Sequence, residues 1–147
     1  MFHWISIVQF IAQKNMNSTY NDGDREEIIR NAIKSATDNN IVLCIRSWGI
    51  TWSDNKERWV PKKDQKCCAL SCVVLEYQDS VKNVGDWRSL TLETLLKCDT
   101  EWIRMFQRGF DGYPRTDADQ NAFPYDLGFM LRDELVKDNA QLKIPGS

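Results

Sequence analysis

Between Asp111 and Asn121 the chain reads "DGYPRTDADQN", which places Asp111, Asp117, Asp119 and Asn121 within one short stretch. Oxygen-rich spacing of this kind first suggests binding of a hard cation such as Ca²⁺. Asp117, Asp119 and Asn121 fall at the first, third and fifth positions of an EF-hand loop. That loop needs Gly at its sixth position and a bidentate Glu at its twelfth. Here those places hold Ala122 and Gly128, and Pro124 restrains the backbone inside the span. Asp and Asn also dominate turns and helix starts, because their side chains accept from free backbone amides. The stretch is therefore predicted to be a connector, and no metal ligand is assigned to it.

Thiol chemistry is the second candidate. Cys67, Cys68 and Cys72 lie close together in "CCALSC", with Cys44 and Cys98 elsewhere in the chain. Structural zinc is usually held by two paired clips of Cys or His. A second clip is missing, there is no C-x-x-C, and the single histidine is His3. The expectation is reduced, mostly buried thiols with no cofactor. The sequence also lacks a Gly-rich phosphate loop, a G-x-S-x-G elbow and an H-E-x-x-H pair. No acidic pair stands out as an acid–base couple, so a non-enzymatic role is expected.

The third candidate is nucleic-acid recognition. "SLTLETLLKCDTEWIRMFQRGF" outlines a short helix, a turn and a second helix, which is the form of a helix-turn-helix. The second helix would present Arg104, Gln107 and Arg108, side chains able to read base edges or phosphates. Residues 86–115 carry five acids and five bases, however, so the unit supplies little phosphate attraction. The fourth candidate is a protein-binding surface. Trp48, Trp52 and Trp59 surround the turn-forming "SDNK", with Lys62 and Lys63 close behind. Exposed indoles are the commonest hot spots of protein interfaces, and adjacent lysines would steer an acidic partner.

The elements that must position these residues follow from periodicity. The 147 residues suit one domain, with 42% hydrophobic and 27% charged residues and a net charge of −2. A weak negative charge gives no general attraction to nucleic acid or anionic lipid. Asp24 and Glu27 fit a capping box before Ile28, Ile29, Ala32, Ile33 and Ala36, which recur at helical spacing. Ile41 to Trp48 is dense in β-branched residues and predicts a buried strand, followed by a hairpin carrying Trp52 and Trp59. "CCALSCVVLEYQ" predicts a buried helix. Ser89 or Thr91 is expected to cap a helix carrying Leu92, Leu95 and Leu96. Asp99 is expected to cap another, with Trp102, Ile103, Phe106 and Phe110 on its inner face. Phe123, Leu127, Leu131 and Leu135 then mark a last helix with Pro124 in its first turn.

The expected fold is thus α+β: one mostly helical domain with a short antiparallel β-hairpin or small sheet. Its expected limits are residues 24–139, after an N-terminal segment 1–23 and before a tail, 140–147. The apolar stretch "MFHWISIVQFIA" has no preceding basic residues and is too short to span a bilayer. A cytoplasmic protein is expected.

The order of a Trp, a polar turn, "RWVP", a charged loop, "CCAL" and an acid-capped "EWIRMFQRGFDG" resembles small uncharacterised bacterial or phage proteins of the cytosol. The resemblance spans about residues 41–135. It implies a prokaryotic source, and it brings no activity and no site residue with it. The functional expectation is a non-catalytic interaction or regulatory protein with a protein partner, and the alternative is a helix-turn-helix nucleic-acid binder.

Overall fold

A computed structural model describes residues 20–81, 84–119 and 122–137. Most of segment 1–23, all of tail 140–147 and His3 therefore lie outside the described residues. The described chain folds as a mostly helical α+β domain.

Helix α1 runs Asp22–Asp38 and so begins ahead of Asp24, the expected cap. Asn21 is the true cap: its side chain accepts from the Asp24 N–H at 2.8 Å, and Asp24 accepts from the Asn21 N–H at 2.9 Å. Asp24 is thus the third-position partner of the capping box and not its first residue. Tyr20 is already buried, so the packed body reaches into the segment expected to precede it. Ile28, Ile29, Ala32, Ile33 and Ala36 are all buried, as their spacing predicts.

The β structure is split into two pairs. Strand β1 (Val42–Leu43) is much shorter than the expected Ile41–Trp48 run, because the chain turns at Arg46, whose φ is 58°. Strands β2 (Ile50–Ser53) and β3 (Arg58–Pro61) form the expected antiparallel hairpin, with Trp52 directly opposite Trp59. Strand β4 (Lys66–Cys67) then returns to pair in parallel with β1, Val42 opposite Lys66 and Leu43 opposite Cys67. The parallel pairing has no counterpart in the sequence reading, since a two-residue strand carries no periodicity to read.

Helix α2 (Ala69–Tyr77) lies at the centre. Ala69 to Val74 and Tyr77 are buried, so the helix is enclosed on nearly all sides. The buried Ser71 is satisfied locally, since its Oγ accepts from the Cys68 N–H at 3.2 Å. Just beyond the helix, Gln78 docks the hairpin. Its Oε1 accepts from the Trp59 N–H at 2.7 Å and its Nε2 donates to the Trp59 carbonyl at 2.9 Å. One side-chain amide thereby imitates a further strand along β3.

Helix α3 (Arg88–Leu96) starts after Trp87, not after Ser89 or Thr91, and no side chain caps it. Thr91 instead donates its hydroxyl to the Trp87 carbonyl at 2.8 Å. Arg25 of α1 closes the far end, donating to the carbonyls of Leu96 (2.8 Å) and Lys97 while its guanidinium lies 5.5 Å from the Trp102 ring. Such a cation suits the negative end of a helix dipole.

Helix α4 (Thr100–Phe110) is capped by Asp99, whose carboxylate accepts from the Trp102 N–H at 2.9 Å. Trp102, Phe106 and Phe110 form a stacked ladder along its inner face, at 5.8 and 6.1 Å between rings. Helix α5 (Phe123–Lys137) packs against it, burying Leu127 and Leu131. Phe123 starts the expected four-residue stripe, yet it is exposed, while Tyr125 in the same turn is buried. Two glycines bring these helices together. A Cβ on Gly109 would lie 3.0 Å from the Phe129 nitrogen and closer still to the Tyr125 carbonyl oxygen. One on Gly128 would lie 2.7 Å from the Phe110 nitrogen and closer to the Phe106 oxygen. The backbones touch where ordinary side chains would hold helix axes apart.

Candidate functional site

The three hairpin-region tryptophans come together, each at a different depth. Trp59 is buried, at 7% exposure, and forms the base. Trp48 and Trp52 are partly buried and meet it edge-on, with ring centroids 5.5 and 5.8 Å away at 90° and 78°. Edge-to-face packing of this kind suits the quadrupoles of aromatic rings. Trp59 therefore belongs to the core and offers no contact surface of its own, which leaves one or two exposed indoles as the form a partner-binding surface here could take. Its Nε1–H is buried with no hydrogen-bond acceptor among the described residues. Trp48 and Trp52 are the two that reach solvent.

Lys62 and Lys63 are exposed beside them, as is Lys66. The placement comes from the backbone: the Lys62 N–H donates to the Gly49 carbonyl at 2.9 Å, and the Ser47 hydroxyl donates to the Lys66 carbonyl at 2.9 Å. Trp48 lies between those two anchors. Its ring also carries a cation that sequence spacing did not reveal, since the Arg88 guanidinium lies 3.9 Å from its centroid. A second such pair, Arg46 over Tyr113 at 4.6 Å, stands nearby.

Asp111 links the two. It is buried, its Oδ1 accepts from the Arg46 N–H at 2.8 Å, and the Arg46 Nε donates to its carbonyl at 3.2 Å. Burial raises its carboxyl above the ordinary range, opposed by the Arg46 amide, Gln107 and the charges of Arg46 and Arg88. Asp111 entered the sequence reading only as an acid of a connector. No local motif marks an arginine that stacks on a ring forty residues away.

On the other side of Trp52 and Trp59 lies a cleft of about 520 Å³, also lined by Arg58, Gln78, Asp79 and Thr91. Its charged pair is closed on itself, Arg58 to Asp79 at 3.1 Å, and Gln78 is taken by the Trp59 backbone. Of the polar groups that line it, Glu57 is left as an exposed carboxylate, and a single such group does little to fix a small ligand.

The helix-turn-helix candidates are dispersed among internal partners. Arg104 is exposed and paired with Glu101 of its own helix. Gln107 reaches Asp111 at 3.4 Å. Arg108 turns into the following loop, where it meets Asp119 at 3.2 Å and the Pro114 carbonyl at 2.8 Å. The three do not make one open basic face.

That loop is the acidic stretch of the sequence, and Asp119 organises it. One carboxylate oxygen, Oδ2, accepts from the N–H (2.9 Å) and the hydroxyl (2.8 Å) of Thr116 as well as from Arg108. Arg115 adds a bond to the Asp119 carbonyl at 2.8 Å and an ion pair with Asp126. Burial pushes the Asp119 carboxyl up, but the Thr116 bonds and Arg108 outweigh it and hold it below the ordinary Asp range. A lowered folded pKa contributes stability above the unfolded value, about 3.9, that is lost as pH falls through the folded one. The denaturation midpoint should therefore drop on acidification below about pH 4. Asp119→Asn should be less stable at neutral pH and show a shallower drop.

The thiols offer little chemistry. Cys44, Cys67, Cys68 and Cys72 are free and buried, Cys98 is free and partly buried. Desolvation raises all five, with Cys67 and Cys98 pushed up to about 12. A thiol so far from ionising is a poor nucleophile and a poor ligand. Among the described residues no three His, Cys, Asp or Glu side chains are placed to hold a metal ion. Nor is any helix among them long and apolar enough to cross a membrane. Comparison of the chain with family models, with curated proteins and with solved structures gives no match.

Proposed function

We propose that this chain is a non-catalytic interaction or regulatory protein of the cytoplasm, which binds a protein partner through the aromatic surface of its hairpin region. The observation that carries the reading is the pair Trp48 and Trp52, held edge-on against buried Trp59 yet partly open to solvent. Large rings fixed by a rigid base lose little conformational freedom on binding, which is what makes Trp effective at an interface. Exposed Lys62 and Lys63 flank the rings and favour an acidic partner. Five free thiols fit a reducing compartment. Nucleic-acid binding through Arg104, Gln107 and Arg108 has less support, because Glu101, Asp111 and Asp119 already engage them.

The test is capture from nuclease-treated lysate with tagged wild type, Trp48→Ala and Trp52→Ala. A stoichiometric protein is expected with wild type, with capture weakened about tenfold or more by either substitution. Thermal unfolding of each variant separates lost contact from lost fold. Capture unchanged in both variants sinks the reading. Nucleic acid retained without nuclease and lost with Arg104→Ala and Arg108→Ala replaces it with the alternative.

A further inference from the structure

The stacked arginines narrow the chemistry of that partner. Arg88 lies over Trp48 with its Cζ 3.9 Å from the ring centroid, and its guanidinium makes no hydrogen bond with any described residue. Arg46 lies 4.6 Å from the Tyr113 ring and spends only its Nε on the protein, toward the Asp111 carbonyl. Both guanidinium groups are thus held by aromatic faces while their terminal N–H forks remain uncommitted among the described residues. The backbone makes the same provision: Arg46 sits at φ 58°, an unfavourable region for a residue with a Cβ, and is fixed there by its N–H bond to buried Asp111.

Charge supplies the second half. The segments that meet here contribute Arg46, Lys62, Lys63, Lys66 and Arg88, against Asp64, Asp86 and buried Asp111, although the whole chain carries −2. These segments carry more cations than acids, on a chain that as a whole is weakly acidic. Trp87 and Tyr113 border them at 66% and 42% exposure.

Resting on the reading of the chain as an interaction protein, we infer that Arg46 and Arg88 receive the carboxylates of an acidic protein segment, whose apolar side chains lie on Trp48 and Trp87. A planar fork matches a carboxylate with two parallel bonds, and stacking pre-orders it for that purpose. Arg, Trp and Tyr together are the composition of a protein hot spot. A long polyanion suits the face less well, because it would also meet the acidic remainder of the surface. A short acidic segment needs only these local cations.

The probe is a fluorescein-labelled peptide of alternating glutamate and leucine, followed by polarisation against the full chain. Its counterparts are the same peptide with glutamine for glutamate and an oligothymidylate of equal length. The acidic peptide is expected to bind and the glutamine peptide not to. Arg88→Ala and Arg46→Ala should each weaken binding about tenfold, with unfolding temperature little changed. Arg88→Lys should fail to restore it, since an ammonium has charge but no fork. Absence of acidic-peptide binding, or binding indifferent to both arginines, overturns the inference. Tighter, arginine-dependent binding of oligothymidylate overturns it in favour of nucleic acid. If the acidic peptide fails while lysate capture still depends on Trp48 or Trp52, the inference alone falls and the interaction reading stands.

Discussion

Gly109→Ala and Gly128→Ala should each destabilise the protein by about 3 kcal/mol or more, and the double variant should not fold. At both positions the added methyl meets main chain of the facing helix, and main chain cannot rotate away. Relief requires α4 and α5 to separate, which loosens the packing of Phe106 and Phe110 against Leu127 and Leu131, all of them buried. Overpacking a core usually costs about 1–3 kcal/mol, and a clash with backbone belongs at or above the top of that range. Helix propensity acts in the opposite direction, since Ala is favoured over Gly by about 1 kcal/mol in a helix interior. The sign of the measured change thus decides between the two effects. Urea unfolding of each variant checks it, and a stabilised variant would falsify the close approach of the helices.

A comparable loss is expected for Gly49→Ala, for two reasons that add. Gly49 has φ 69°, and a Cβ there would stand 2.5 Å from the Lys66 carbonyl carbon and nearer still to its oxygen. The residue also ties two segments together, accepting the Lys62 N–H at 2.9 Å. A left-handed conformation alone costs a substituted residue about 1 kcal/mol, and the clash adds a displacement of β4. The loss should be specific in its reporting. Near-ultraviolet circular dichroism from the Trp48, Trp52 and Trp59 cluster should fade at a lower denaturant concentration than helical signal from the rest. A variant whose two signals melt together and at the wild-type midpoint would refute this account of Gly49.

What was legible in the sequence tracks the physics of each element. Apolar residues at helical spacing put Ile28, Ile29, Ala32, Ile33 and Ala36 on a buried face, and Asp99 was readable as a cap because an acid before an amphipathic run has a local role. The hairpin was readable from a polar turn between two tryptophans. The parallel pair of β1 and β4 was not, because two residues show no period and their partners are fixed by distant chain. The depth of Trp59 was hidden for a related reason: only tertiary packing separates a core indole from an exposed one. The candidate site was legible in part. Trp48, Trp52, Lys62 and Lys63 were marked by type and proximity. Arg46, Arg88 and Tyr113 were not, since a cation resting on a ring leaves no trace in local spacing.

The short parallel pair has a consequence for how the molecule comes apart. β1 and β4 close a loop that contains the whole hairpin, so the aromatic surface is an excursion between two points held together on the main body. It is attached by the two-residue ladder, the Gln78 amide and the Arg46 bonds to Asp111. The Arg58–Asp79 pair, the ring contacts of Trp48 and Trp59 and buried Ile50 hold it as well, while α2 is enclosed on nearly all sides. Opening that clasp releases the hairpin amides to solvent as one unit, at a fraction of the free energy needed to expose α2. Re-closing such a loop is entropically mild, because the cost grows only slowly with loop length. Hydrogen exchange should therefore show the hairpin amides opening ahead of those of α2, as one unit.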